Sequence, residues 1–383
     1  MARPRDPLTR LDIPSWPVYS PECRDKVDRL LRAGGSLSAY KANPDVGPEP
    51  YLGSWADRLE RRAVNLSGYK YAVAVNSGTA ALHVGLEALG VRGKEVITSP
   101  FTFSATVGAI VQAGGIPVFA DIDERYFGLD RKAVESVLSR KTAAILPVSI
   151  FGCRMGLRYL SGLPVPIVED ACQAAGVKYD GPKPLWSVWS FNGGKQVPAG
   201  EAGCFLTDSA SLARKARLVM NHGENFGSDV GWNYRPNEVT CCIAWHGLDA
   251  LPTRMRQRTI NVQALESFIA QDDYLTGRVC PFNYTEPHGY YVWPFDYWGH
   301  IGGHMSRQRF IKRMADRGVA VGLKYVDLTD KEKYPAFKRM KRTPMPNLKR
   351  VRKTLCFLSC VTSEASVDDM YRLSQAMKEA LRV

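Results

Sequence analysis

Between Tyr71 and Thr207 the chain alternates short apolar runs with amphipathic stretches. The runs Tyr71–Val75, Glu95–Thr98, Ile116–Ala120, Ala143–Ser149, Pro166–Val168, Val188–Phe191 and Cys204–Thr207 read as buried strands. Thr79–Leu89 and Ser104–Gln112, lying between them, have helical spacing. Strands separated by helices predict an α/β layer around a mostly parallel, seven-stranded sheet. Upstream, Ser54 is placed to cap a helix whose face is Trp55, Leu59 and Ala63, and Arg24–Arg32 is a further helical stretch. The pattern changes after Leu251 and Pro252. A helix is expected from Thr253 to about Ile269, then an aromatic strand-like piece at Tyr290–Trp293 and a helix near Ser306–Arg317. A last helix starts at Ser366, with Asp369 three residues on as a capping-box acid. Its apolar side is Val367, Met370, Leu373, Met377 and Leu381. These changes divide the chain into an N-terminal arm (1–50), a large domain (51–252) and a smaller C-terminal α/β domain (253–383).

Composition narrows the picture. Of 383 residues, 45% are hydrophobic and 23% charged, which is ordinary for a globular chain and excludes disorder, collagen and coiled coil as its main character. No run approaches the roughly 18 apolar residues of a membrane span, and no apolar stretch follows the basic N-terminus, so neither a membrane segment nor a secretory signal is expected. Nine scattered cysteines with no Cys-x-x-Cys suit reduced thiols in a cytoplasm, and Cys356 and Cys360 read as packing residues.

The net charge is +13. Lys331 to Lys353 holds ten basic residues against one acid, Glu332, and so carries +9 of it. Such a window favours an anionic partner, whether nucleic acid, a nucleotide or a membrane surface, or else it is a solvated face.

Three short segments carry candidate chemistry. Asn76-Ser77-Gly78-Thr79-Ala80-Ala81 follows a strand and opens a helix, whose unpaired N–H groups and positive dipole end suit a phosphate. Glu169-Asp170-Ala171-Cys172-Gln173 lies at the C-terminal end of an apolar strand, the end at which open α/β sheets bind ligands. Ser190-Phe191-Asn192-Gly193-Gly194-Lys195 places one Lys just beyond a strand, where a lysine of lowered pKa can form a Schiff base. Read singly, each has an ordinary structural explanation: a capped turn, an N-cap Asp, a surface Lys. His300 and His304 are spaced i, i+4, but Gly302 and Gly303 lie between them and no metal site is expected.

In this order and spacing the three segments resemble the aspartate-aminotransferase-like fold type I of pyridoxal-phosphate enzymes, and more narrowly the DegT/DnrJ/StrS-type sugar aminotransferases. The resemblance covers roughly residues 10–250. It also rests on Ser99-Pro100-Phe101-Thr102-Phe103-Ser104-Ala105-Thr106, on Pro117-Val118-Phe119-Ala120-Asp121-Ile122, on Asn221-His222-Gly223 and on Gly231-Trp232-Asn233-Tyr234-Arg235-Pro236-Asn237-Glu238. The resemblance implies pyridoxal 5'-phosphate as cofactor. It implies that Lys195 forms the Schiff base and shuttles a proton at the substrate's α-carbon, while Asp170 pairs with the ring nitrogen. Gln173 would bond the ring hydroxyl, Phe103 would stack on the ring, and Ser77, Gly78, Thr79 and Ser190 would hold the phosphate. Asn233 would reach the phosphate from a second subunit, implying a homodimer with shared active sites.

This chain also departs from that family. Ser149 stands where the family usually has His, the stretches before Val168 and before Ser190 are short, and the small-domain His-Tyr-x-Pro appears as Lys324-Tyr325-Val326-Asp327. Members that dehydrate sugars replace the Schiff-base Lys with His, so Lys195 argues against that branch. The first expectation is amino transfer from an amino acid to a keto group on a nucleotide-linked sugar or similar small anionic substrate. The alternative, motivated by the basic window 331–353, is a pyridoxal-phosphate transaminase or decarboxylase acting on a base or amino-acid adduct in nucleic acid. A third reading is a non-catalytic regulator.

Overall fold

The structure is a computed structural model. It describes residues 11, 13–14, 16–38, 53–154, 156–179, 181–223, 230–282, 288–300, 305–323, 326–337 and 340–382. The N-terminal part has helices α1 (Pro21–Ala33) and α2 (Trp55–Ser67). There follow β1 (Tyr71–Val75), α3 (Gly78–Leu89), β2 (Glu95–Thr98), α4 (Ser104–Gln112), β3 (Ile116–Phe119), α5 (Arg131–Val137) and β4 (Thr142–Leu146). Next come α6 (Gly156–Tyr159), β5 (Val168–Asp170), β6 (Trp186–Ser190), β7 (Gly203–Thr207) and α7 (Ala210–Met220). Strand β2 pairs in parallel with β3 and β4, and β5 with β6. Parallel bridges Ile145–Ile167 and Val148–Asp170 join the two groups. Strand β7 runs antiparallel to both β6 and β1. The result is the expected seven-stranded, mostly parallel sheet, in the order β1-β7-β6-β5-β4-β2-β3. Most of its strands are apolar because helices cover both faces; Trp186, Val188 and Phe205 are fully buried in one core with Leu82 and Leu86 of α3.

Helix α8 (Glu238–Ala270) runs 33 residues without a break through Pro252. The sequence placed a helix start after that proline. Proline removes one helical hydrogen bond at a cost of about 3 kcal/mol, but α8 buries Leu248 and Leu251 in the large core and Val262 and Leu265 in a second one. That burial, at about 1.5–3 kcal/mol per side chain, outweighs the proline. The second core surrounds an antiparallel sheet, β10-β12-β9-β8, formed by β8 (Val279–Pro281), β9 (Trp293–Tyr297), β10 (Val321–Leu323) and β12 (Leu355–Leu358). It is covered by α9 (Arg307–Asp316) and α11 (Val367–Leu381), and α11 has the expected capping box between Ser366 and Asp369. The aromatic strand begins at Trp293, later than expected: Tyr290 has φ 41°, outside the strand region.

The basic stretch returns to the large sheet. There β11 (Lys341–Arg342) pairs in parallel with β3, and α10 (Pro346–Thr354) packs Leu348 and Val351 against Phe119 and Phe101. A two-residue strand of charged residues gives no periodic signal, so the sequence did not reveal it. Among the described residues no helix is long and apolar enough to cross a membrane. All nine cysteines are unpaired, and Cys356 and Cys360 are packing residues. His304, Lys324, Tyr325, Lys338, Arg339 and 24 residues of the segment 1–50 lie outside the described residues.

Candidate active site

The C-terminal ends of β1, β5 and β6 open onto one cavity of about 410 Å³. It is lined by Ser77, Gly78, Thr79, Phe103, Asp170, Gln173, Ser190 and Lys195. Eight of the nine expected residues therefore converge, although 118 positions separate the first from the last. Asn233 does not line the cavity. It is exposed, and its carbonyl accepts from Asn76 Nδ2 at 3.3 Å, next door to Ser77.

The chain turns from β1 into α3 at Ser77, whose extended backbone and side chain cap the helix; its Oγ accepts from the Ala80 amide at 3.0 Å. Gly78 must be glycine. A Cβ there would sit 2.7 Å from Ser190 Cβ and 2.8 Å from Cys172 Sγ. Exposed Thr79 adds a hydroxyl at the positive end of the helix dipole. Ser190 Oγ, at the end of β6, accepts from the Asn192 amide at 3.4 Å.

Asp170 is 5% exposed. Thr106 Oγ1 donates to its Oδ2 at 2.7 Å and the Cys172 amide to its Oδ1 at 3.1 Å. Thr102 and Thr106 hydroxyls are themselves 2.7 Å apart. No cation pairs with Asp170 among the described residues. Burial, then the Asp170 charge, holds the Cys172 thiol well above its usual range, with Lys195 offsetting part of the effect. Cys172 therefore stays a thiol and makes a poor nucleophile. Gln173 Oε1 accepts from the Phe151 amide at 2.8 Å, which fixes the amide plane. The turn that delivers that amide has φ 57° at Phe151 and 97° at Gly152, and a Cβ on Gly152 would lie 3.0 Å from the Gln173 carbonyl.

Lys195 sits in the loop between β6 and β7. Its amide donates to the Asn192 carbonyl and its carbonyl accepts from Trp16 Nε1 at 3.1 Å. Its ammonium lies 4.4 Å from the centre of the Tyr291 ring and makes no salt bridge among the described residues. Phe103 heads α4 with its ring 60% exposed at the cavity mouth.

Beside Asp170 on β5, Glu169 points to the opposite face of the sheet. It accepts from Ser149 Oγ (2.5 Å), Arg154 Nε (2.9 Å), and the Tyr179 (2.7 Å) and Ser187 (2.7 Å) hydroxyls. Ser149 thus belongs to this buried network and does not line the cavity.

Sequence reading missed four residues that shape the site. Thr106 had a usable signal, its i, i+4 spacing from Thr102 at a helix start. Tyr291 and Trp16 come from distant segments and gave none. Asn192, which donates to Glu201 at 2.7 Å, looked like a loop residue.

The residues fit pyridoxal phosphate. A helix end with three hydroxyls and a position where any Cβ would clash suits a phosphate. Asp170 without a cation suits a protonated ring nitrogen, and Lys195 without an acid suits a carbonyl.

A model of the DegT/DnrJ/EryC1/StrS aminotransferase family matches residues 50–377. Among curated proteins, the pleiotropic regulatory protein of Geobacillus stearothermophilus is 35% identical over 205 residues, covering 50% of this chain and 55% of that protein. The GDP-perosamine synthase of Caulobacter vibrioides is 32% identical over 251 residues, covering 62% of this chain and 66% of that one. The chain thus spans between about half and two thirds of the length of these curated relatives. A solved aminotransferase from Psychrobacter cryohalolentis shares the fold with TM-score 0.84 at 24% identity, covering 96% of this chain and 98% of that one.

Proposed function

Because the chain belongs to the DegT/DnrJ/EryC1/StrS aminotransferase family, we propose that it is a pyridoxal-phosphate-dependent aminotransferase. It moves an amino group from an amino-acid donor to a keto group on a nucleotide-linked sugar or similar anionic substrate. The observation that carries this reading is the convergence of Lys195, Asp170 and the α3 N-terminus on one cavity. When bound, the cofactor supplies a carbonyl that takes up an amine and a ring that withdraws electrons from the adjacent carbon. The chain's own residues do the rest. Ser77, Thr79, Ser190 and the first amides of α3 hold the phosphate, and Gly78 lets it come close. Asp170, held in place by Thr106 and the Cys172 amide, holds a proton on the ring nitrogen. Gln173 orients the ring through its hydroxyl, and Phe103 covers one face and keeps water from it. Lys195 Nζ moves the proton on and off the substrate's α-carbon.

Two features support an anionic, nucleotide-linked acceptor: the net charge of +13 and the likeness to a GDP-perosamine synthase. The homodimer is part of the same proposal. Its support is the exposure of Asn233, of Phe103 and of Val230, which is 80% exposed. Sedimentation should give twice the chain mass; an active monomer would defeat it. Nine unpaired cysteines support a cytoplasmic site of action. A purely regulatory role has no use for a lysine and a carboxylate brought to one cavity.

The test is to add glutamate and other amino acids to the purified yellow protein. Loss of the yellow band with one equivalent of keto acid supports amino transfer. Release of carbon dioxide would point to decarboxylation instead, and no spectral change with any amino acid would defeat the reading.

A further inference from the structure

A second cavity, of about 460 Å³, adjoins the first. Tyr291 lines both, and Gly194, next to Lys195, lines the second. Its other walls include Trp16, Arg258, Val319 and Thr362.

Arg258 is a buried cation, 3% exposed, on α8. Its Nη1 donates to the Tyr290 carbonyl at 2.8 Å, while its Nε is buried with no partner. No carboxylate lies within ion-pair distance of it among the described residues. The acid on this side, Glu364, sits 3.9 Å from Arg254 instead. Both guanidinium groups lie 5.1 Å from the Trp16 ring centre, so two cations share one indole. Burial, and next the Arg254 charge, pulls the Arg258 pKa down to about 10. Folded proteins pair the charges they bury.

Thr362 supplies a second unpartnered group on the same wall, for its Oγ1 is buried without a hydrogen bond. Its loop is fixed. Asn261, fully buried and one turn along α8 from Arg258, donates to the carbonyls of Thr362 at 2.8 Å and Ala365 at 2.7 Å. One helix therefore holds both groups in place.

We propose that this second cavity binds a small carboxylate, with Arg258 as its counter-charge and Thr362 as a second donor. One guanidinium edge and one hydroxyl match a planar, singly charged acceptor with two oxygens. A doubly charged phosphate would need a further cation, and Arg254 is already turned to Glu364 and the Val18 carbonyl. The apolar walls Ile13, Val292 and Val319 suit a short aliphatic chain. Occupancy would be felt at the catalytic loop, since Trp16 Nε1 holds the Lys195 carbonyl. The carboxylate belongs either to the amino donor, reaching past Tyr291, or to a separate small acid. Only the first source rests on the aminotransferase reading; the site itself does not.

Glutarate, which has no amino group to transfer, is the probe, added to the holoenzyme and followed by thermal melting and calorimetry. A saturable rise in melting temperature is expected, absent with chloride at equal ionic strength. Arg258→Met should abolish it. Arg258→Lys should keep a weaker response, having the charge without the fork. Thr362→Val, which preserves shape, should weaken binding by a factor of about 2–10, and it remains informative if Arg258→Met does not fold. No shift in the wild type, or equal binding in Thr362→Val and Arg258→Met, would overturn the site. If glutarate raises the KM for glutamate without lowering the limiting rate, the donor is the source. Binding without competition assigns a separate acid, and either result upholds the site. Should no amino acid be turned over while glutarate still binds, the aminotransferase reading alone falls.

Discussion

At the cavity, the ends of three strands deliver groups that stay unengaged. Lys195 meets only the face of Tyr291, Asp170 only hydrogen-bond donors, and Thr79 is exposed. In the basic segment Lys331–Lys353, four of the eight described basic residues are engaged. Lys341 lies 3.6 Å from Glu95, Arg350 is 2.8 Å from Glu124, Arg352 pairs with Asp327, and Arg342 donates to the Thr329 carbonyl. Asp121 accepts from the first amides of α10, those of Asn347 and Leu348. The segment docks the C-terminal part of the chain onto the edge of the large sheet. A charge count measures how much cation a stretch holds, whereas the pairing shows how much remains for a partner. On that basis the nucleic-acid reading is not favoured.

The unengaged groups should give the largest effects. Replacing Lys195 by Ala or Asp170 by Asn is expected to cut amino transfer by about 10²–10⁴-fold, the share of a positioned acid–base group. Thermal melting should be little changed. Turnover within tenfold of wild type in Lys195→Ala would mean that another lysine serves the cavity.

Directly beneath the cavity, Glu169 and Arg154 are a fully buried pair, 0% and 3% exposed at the side chain. Glu169→Gln leaves Arg154 without a counter-charge, which costs about 3–5 kcal/mol. Urea denaturation should show it as a lower midpoint with an unchanged slope. A loss below about 1 kcal/mol, the range of exposed pairs, would mean that hydrogen bonds rather than charge hold this network.

Gly78→Ala tests the phosphate end. Its Cβ, 2.7 Å from Ser190 Cβ, overpacks a fixed turn for about 1–3 kcal/mol. The cofactor should dialyse away faster than from the wild type. Unchanged retention would remove the phosphate from this helix end.

How much of this was legible follows the same division. Strands buried on both faces are mostly apolar, so six of the seven strands of the large sheet could be read directly; β5 is Val168–Asp170, and the apolar run Pro166–Val168 meets it only at Val168 because Glu169 and Asp170 are buried carboxylates. The cavity could be read because its groups lie at strand ends, within a few residues of those runs: Ser77 after β1, Asp170 ending β5, Ser190 ending β6. Thr106 could have been found by the same logic. What could not be read depends on contacts between remote segments. Nothing around Tyr291 or Trp16 predicts that they would flank Lys195, because tertiary packing alone brings them there. Helix α8 ran through Pro252 because two cores hold it, and a local breaker signal carries no information about burial. The basic window misled for a related reason. Its acidic partners Glu95, Glu124 and Asp327 are scattered along the chain, and only the fold shows that they pair with Lys341, Arg350 and Arg352.

The smallest effects are expected where the segment is exposed. The Arg350–Glu124 pair, with side chains 63% and 39% exposed, should contribute about 0.2–1 kcal/mol, so Arg350→Ala lowers stability slightly and leaves turnover of a small substrate unchanged. Lys349 and Lys353 are exposed on α10 and make no ion pair among the described residues. Replacing both by Ala should change neither stability nor turnover. Lys331 and Lys333 are exposed as well and make no ion pair among the described residues, so four free lysines set the limit on contact with a polyanion. Each phosphate neutralised adds roughly −0.9 to the log–log salt slope of binding to duplex DNA, so four give a slope of about −3.6, and about −1.8 remains once Lys349 and Lys353 are replaced. Engaging Lys341, Arg350 and Arg352 too would require them to leave their acids, and the slope would then steepen beyond about −6. A slope that steep, still beyond about −4 in the double variant, would show that the ion pairs open to nucleic acid. It would erase the contrast between the two regions. A slope near about −3.6, halved in the double variant, keeps the segment as a docking element whose paired cations stay engaged.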